Sequence, residues 1–319
     1  MKKSTKKVTK QLSEPLFIGI DLAWSQRNPT GCAIIRNNRL IAHTGNLGSD
    51  DEIISFIRQH LYKESPAIIG IDAPLKVPNS SGARLCDRAL SADWRQFQAG
   101  ALPANRSIFA RMNRSTASAP SGFEQLINLN CRNGDCRNTG LHNTDDQNAG
   151  EEQSALHNQS KSHVRGEALA ALLSEHLRFS QEATIPRQTK GRMLCEIYPH
   201  PAHVSLFNLD KTLKYKARAG RSYEQRWQEM ERYQVYLRNL RWADLPLKRT
   251  KKLLTQTDVR QMRGKAFKRY EDTLDAITCA YVVNYLWVYG PEFARTYGTA
   301  KDGHIIVPLT SKMKKRLAR

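Results

Sequence analysis

Paired C-x-x-C spacings are missing from this chain, whose six cysteines, Cys32, Cys86, Cys131, Cys136, Cys195 and Cys279, lie scattered along 319 residues. That scatter argues against a disulfide framework or a structural zinc and points to free thiols in a reducing, cytoplasmic setting. Long apolar runs are missing too. No apolar core follows the lysine-rich first residues, so no signal peptide is expected. Residues 274–289, the last apolar stretch, fall short of the ~20 residues that span a bilayer and contain Asp275 and Asn284, which marks a buried helix. No repeat of solenoid length is visible. Acidic charge is the scarcest ingredient: 30 Asp and Glu face 50 Lys and Arg, a net charge of +20. An excess of this size attracts phosphate through counterion release, so a nucleic acid, DNA or RNA, is the expected partner and a membrane is not.

Composition divides the chain. Residues 1–14 carry five lysines and almost nothing apolar, and read as a disordered basic arm; residues 311–319 read as a matching basic tail. Residues 130–165, rich in Asn, Asp, Gln, Ser, His and Gly, read as a disordered polar insertion. In residues 211–269 Lys and Arg outnumber Asp and Glu more than threefold, and aromatics are interleaved, which suggests an added basic helical segment. The rest of 15–310 forms one domain. Strand patterns at 16–24, 30–36 and 40–44, the last two joined by Asn37-Asn38, predict a meander. Ser49 followed by Glu52 predicts a capped helix over 50–61, and the apolar run 67–72 a strand buried on both faces and parallel to its neighbour. Helical patterns at 83–97, 164–179, 223–240 and 274–289 and a strand at 193–198 complete the order. A meander followed by a crossover to a parallel strand predicts an α/β fold of the RNase H-like kind, a mixed five-stranded sheet flanked by helices.

The tetrapeptide Ile-Gly-Ile-Asp occurs twice, ending at Asp21 and at Asp72. On parallel neighbouring strands, period-two alternation puts the two acids at corresponding positions, each behind a glycine that admits close approach to the backbone. Adjacent carboxylates repel and are costly to bury, and a divalent cation removes both penalties. Asp272 and Asp275, three apart on a helix, share one face. Asp272 and Glu271 also suit macrodipole compensation in a first helical turn, a role that fits Asp275 less well. Glu196, inside an apolar strand, is a fifth catalytic or supporting candidate; the plainer alternative for it is a buried salt bridge to an arginine. Carboxylates alone suit Mg2+ or Mn2+, and such a cluster suits hydrolysis of a phosphodiester.

Several segments together resemble the family known as domain of unknown function 429, regarded as RNase H-like nucleases. They are Gly19-Ile20-Asp21-Leu22-Ala23-Trp24, Ile71-Asp72-Ala73-Pro74-Leu75, residues 82–88, Pro103-Ala104-Asn105, residues 196–202, Tyr215-Lys216, residues 272–281 and residues 303–308. The resemblance spans about residues 16–308. The Asp272-x-x-Asp275-Ala ending is also similar to that of Holliday-junction resolvases of the same superfamily, although these carry Glu where this chain has Asp72. The resemblance implies metal-binding roles for Asp21, Asp72, Asp272 and Asp275 and a metal-dependent nuclease activity.

Arg84 and Arg88, four apart on the helix after Asp72, are expected to project toward the carboxylates and contact phosphate, with a surface ion pair to Asp87 or Asp93 as the alternative. Asn105, Lys216 and Arg218 complete the expected nucleic-acid contacts. Two other functions compete. One is a catalytically silent nucleic-acid-binding protein. The other is a phosphotransferase of the sugar-kinase and actin type, which follows its first acidic strand with a Gly- and Thr-rich turn and needs a second domain of like topology; here Leu22-Ala23-Trp24 follows, and the remaining chain is too short.

Overall fold

The computed structural model describes residues 14–25, 28–62, 65–114 and 164–318. The basic arm up to residue 13 and residues 130–163 of the polar insertion lie outside the described residues.

Three strands, β1 (Leu16–Asp21), β2 (Thr30–Arg36) and β3 (Arg39–Leu47), form the meander. Asn37 and Asn38 both adopt positive φ, 51° and 58°, the left-handed pair that a tight two-residue hairpin requires and Asn tolerates. Helix α1 (Asp50–Arg58) starts at Ser49, whose hydroxyl accepts from the Glu52 amide, while the Glu52 carboxylate accepts from the Gly48 amide at 2.6 Å. The chain then crosses to β4 (Ala67–Ile71), parallel to β1. It continues through α2 (Leu85–Trp94), α3 (Arg106–Arg114), α4 (Arg165–Leu177), β5 (Ser180–Gln181), β6 (Arg192–Glu196), α5 (Pro199–Phe207), α6 (Tyr223–Asn239), α7 (Lys251–Thr255) and α8 (Gly264–Tyr289). A hairpin of β7 (Ala294–Thr299) and β8 (Gly303–Pro308) and helix α9 (Ser311–Leu317) close it.

The main sheet runs β3-β2-β1-β4-β6-β5, and β2 alone opposes the other five strands. The fold is mixed α/β, with six strands in this sheet rather than the expected five. The additional strand, β5, is two residues long, too short for any alternation to reveal. β7 and β8 form a second, two-stranded sheet that the helix and strand patterns did not predict.

Alternation assigns the faces. Leu16, Ile18 and Ile20 of β1 pack with Ile69 and Ile71 of β4, Ile53 and Ile57 of α1, and Leu169 and Leu173 of α4. The intervening positions, Phe17 of β1 and Ile68 of β4, pack on the opposite face with Ile277, Ala280 and Val283 of α8. Each fully buried Ile or Leu contributes ~1.5–3 kcal/mol, so a one-residue register slip would exchange two apolar faces at once. Helix α8 lies close against the sheet because of glycine: a Cβ on Gly19 would stand 1.9 Å from the Ala276 carbonyl oxygen, and one on Gly31 2.1 Å from that of Asp272. What approaches the glycine-bearing strands is thus a helix backbone.

Three boundaries differ from expectation. Residues 311–318 are no loose tail: Thr310 caps α9 by accepting from the Met313 amide, Met313 is fully buried, and Arg316 donates to the Leu209 carbonyl at 2.8 Å. A buried methionine, with Lys314 over the Phe293 ring and Arg316 over that of Phe97, docks this seven-residue basic helix. Val164 and Arg165, expected in the polar insertion, belong to the packed domain, and the buried Arg165 pairs with Asp50 at 2.9 Å. Helix α8 begins at Gly264, two turns before Asp272, so Glu271 and Asp272 are mid-helix residues and do not compensate the macrodipole of a first turn. No helix among the described residues is long and apolar enough to cross a membrane.

Candidate active site

The C-terminal ends of β1 and β4 carry the first two acids. Ile20 pairs with Ile71, and the Asp72 amide donates to the Ile20 carbonyl at 2.8 Å, so Asp21 and Asp72 leave adjacent strands side by side. By alternation both lie on the α8 face of the sheet. Helix α8, seated on Gly19 and Gly31, adds Asp272 and Asp275 from one of its own faces. Asp275 is wholly buried, and Asp21, Asp272 and Glu271 nearly so. Asp72 retains 16% of its side-chain surface and is the cluster's opening to solvent.

A fifth group enters from the segment between α5 and α6. Tyr215 donates its hydroxyl to Asp275 Oδ1 at 2.6 Å, joined by the Tyr233 hydroxyl at 3.2 Å. Lys216, the next residue, places Nζ 3.0 Å from Asp275 Oδ2 and 4.0 Å from Asp72 Oδ2. On α8 itself, Lys268 pairs with Asp272 and, at 2.8 Å, with Glu271. Its spacings of three and four residues are those of facing helical side chains.

Burial raises the Asp21 and Asp72 carboxyls above their ordinary value of 3.8; Lys216 opposes this, while Asp275 adds to it. Burial likewise raises Asp272, against Lys268 and with Asp21. Asp275 goes the other way: burial opposes its charge, but Lys216, His203 and the Tyr215 hydroxyl override it and bring the pKa down to about 2. Burial also works against the Lys216 ammonium, which Asp275, Asp21 and Asp72 hold well above the lysine range. Counting Asp21, Asp72, Asp272 and Asp275 against Lys216 and Lys268, two negative charges remain when all six are ionised. Asp21 Oδ2, Asp275 Oδ2 and Glu271 Oε2 are buried oxygens that accept no hydrogen bond; Lys216 is near the second but not aligned with it, and Arg226 lies 3.9 Å from the third. Among the described residues no three His, Cys, Asp or Glu side chains are grouped as a metal-holding set. Instead, ammonium groups stand among the carboxylates.

Glu196 is not part of this cluster. It pairs with Ile71, not with Asp72, and alternation turns its side chain to the other face of the sheet. There Arg84 grips it at 2.5 and 2.8 Å and also holds Asp87 at 2.7 Å, while the Leu75 amide donates to Glu196 at 3.0 Å. Arg84 is therefore buried, not poised over phosphate, and its partner Asp87 is buried with it. Asn105 is committed as well: it donates to the Gly82 carbonyl at 2.7 Å, and its Oδ1 accepts from the Ile108 amide to cap α3. Arg88 and Arg218 are exposed.

The basic segment is also partly consumed internally. Arg260 pairs with Glu224 and Glu231, Arg263 stacks on Trp227 at 3.9 Å, and buried Arg226 donates to the Tyr215 carbonyl at 3.0 Å, fixing the loop that delivers Lys216. Sequence reasoning missed Tyr233 and Lys268. The Lys268-x-x-Glu271-Asp272 spacing would have shown the second once the helix was extended; nothing in sequence marks the first.

A family model described as a protein of unknown function (DUF429) matches residues 19–290. No curated protein and no solved structure matches.

Proposed function

The chain belongs to the DUF429 family, and from that footing we propose that it is a metal-dependent nuclease that hydrolyses nucleic-acid phosphodiesters on an RNase H-like fold. In support of the fold, the meander passes through β1 to a parallel β4 and β6, the order expected of that arrangement. The observation that carries the activity is the pair of buried oxygens on Asp21 and Asp275 that accept no hydrogen bond, within a cluster whose four aspartates outnumber its two lysines. Carboxylate oxygens suit Mg2+ or Mn2+ and not zinc, although Lys216 and Lys268 stand among them. Asp21, Asp72, Asp272 and Asp275 would hold the ion, which when bound activates water and neutralises charge at the phosphorus.

The protein's own groups have definable tasks. The Tyr215 and Tyr233 hydroxyls, both kept neutral by burial, orient Asp275. Asp72, the most exposed acid of the four, faces the substrate side. Arg218 and Arg88, the latter donating to the Ala83 carbonyl at 3.0 Å, are exposed and would meet phosphates. Digestion of branched DNA, duplex DNA, RNA–DNA hybrid and RNA with and without Mg2+ tests the proposal: metal-dependent cleavage that disappears in D275N is expected. Cleavage unchanged in D275N, with contaminating nucleases excluded, would remove α8 from the site.

One observation favours a second reading. Because Lys216 already bridges Asp275 and Asp72, the cluster can also persist as a charge-compensated relic in a silent nucleic-acid-binding protein. Binding with a steep salt dependence but no cleavage of any substrate in that panel identifies it.

A further inference from the structure

Resting on the metal-site reading above, we propose that Lys216 is a resident counterion: its ammonium and a divalent cation are alternative occupants of the Asp21–Asp72–Asp275 carboxylates, and Lys216 must withdraw for the ion to load. Its Nζ lies 3.0 Å from Asp275 and 4.0 Å from Asp72, and the Asp21 carboxylate also favours its charge. These are the carboxylates a metal would use, and a position within 3–4 Å of two of them cannot be shared with a second cation without strong repulsion. The lysine is anchored at its base and free at its tip. Tyr215, immediately before it, is fully buried, hydrogen-bonded to Asp275 and held through its carbonyl by Arg226. Lys216 itself keeps 28% of its side-chain surface exposed, so its four-carbon stem has solvent into which to swing.

The direction of that swing has a chemical consequence. An ammonium displaced from Asp72, at the solvent opening, moves to where a substrate phosphodiester would approach. A phosphate can therefore draw the lysine away from the carboxylates and make metal loading depend on substrate. Lys268 differs: it pairs with Asp272 and Glu271, is 53% exposed, and does not contact Asp72 or Asp275.

Calorimetric titration of Mn2+ into full-length wild type, K216M, K216Q and K216R, without nucleic acid, tests this. K216M removes the charge and keeps the stem, K216Q guards against an apolar artefact, and K216R retains a cation. Loss of the competing charge should tighten Mn2+ binding by about tenfold or more in K216M and K216Q, while K216R stays near wild type. Equal or weaker affinity in both neutral variants, with folding verified by circular dichroism, overturns the proposal and leaves the metal-site reading intact. If wild type and all three variants fail to bind Mn2+ at millimolar concentration, the metal-site reading falls and this proposal with it. Mn2+ binding by the neutral variants alone supports the proposal in its strongest form.

Discussion

Two clusters of buried charge flank the C-terminal edge of the same sheet, and they are built to opposite plans. At the end of β6, Glu196 and Asp87 share the Arg84 guanidinium, and the Leu75, Arg84 and Ala104 amides take up further carboxylate lone pairs. On the α8 face, four aspartates have two flexible ammoniums between them, two oxygens without donors and an excess of negative charge. A planar guanidinium fixed by several charge-assisted hydrogen bonds is a strut; an undercompensated carboxylate group is, on the metal-site reading proposed above, a receptor for positive charge. The difference teaches which buried acids to assign to chemistry: those whose lone pairs the fold leaves unspent.

Substitutions that remove one partner from each cluster should break apart in opposite ways. Arg84→Met leaves Glu196 and Asp87 buried and unpaired, a loss of about 3–5 kcal/mol that thermal denaturation should record as a large fall in midpoint. Asp21→Asn removes an undercompensated charge, so the metal-free midpoint should hold or rise by up to ~1 kcal/mol of stability, while cleavage falls on the order of a hundredfold or more. If Asp21→Asn unfolded the protein and Arg84→Met did not, the assignment of strut and receptor would be reversed.

The receptor was more legible in the sequence than the strut. The doubled Ile-Gly-Ile-Asp set the β1 and β4 register, and the glycine within each copy foretold a close neighbour, which is the helix bearing Asp272 and Asp275. Glu196 misled because an acid in an apolar strand signals burial but not which face it occupies. Only the pairing of Glu196 with Ile71 decides that, and pairing across 125 residues is not written in local pattern. Arg84 misled for the related reason that an arginine near a helix start reads as surface until its partner from another strand is known. Lys216 was expected to contact nucleic acid; its seat among the acids depends on the Tyr215 and Arg226 anchors, which are long-range contacts.

The pH dependence of stability should sharpen the contrast next. Asp21, Asp72 and Asp272 have folded-state pKa values above the ordinary 3.8, so the folded protein retains protons there that the unfolded chain has released. Stability of the metal-free protein should therefore decline as pH rises from near 3.8 through the raised values, then level off. Asp275, brought down to about 2, acts oppositely: its contribution is present above 3.8 and is lost only as pH falls toward 2. Mg2+, by holding the ligands ionised, should offset the decline on the neutral side. Thermal midpoints measured across acid to neutral pH, with chelator or with Mg2+, check this; identical slopes in the two series would mean that no ion engages these carboxylates.

The smallest expected effect separates the two lysines within the receptor. Lys268 reaches Asp272 and Glu271 from a side chain that is 53% exposed, and partly solvated ion pairs contribute only ~0.2–1 kcal/mol. Lys268→Ala should therefore move the thermal midpoint by a degree or two, in either direction, since it removes a favourable pair but also leaves Asp272 and Glu271 facing each other. Its influence on Mn2+ affinity should be a few-fold at most, because Lys268 forms an ion pair with Asp272 and acts on Asp21 only at longer range, whereas Lys216 lies within 4.0 Å of both Asp72 and Asp275. Titration of the two alanine variants side by side gives the ordering directly. A larger gain in Lys268→Ala than in Lys216→Ala would place the ion toward Asp272 and Glu271, at the buried end of the cluster and away from the Asp72 opening.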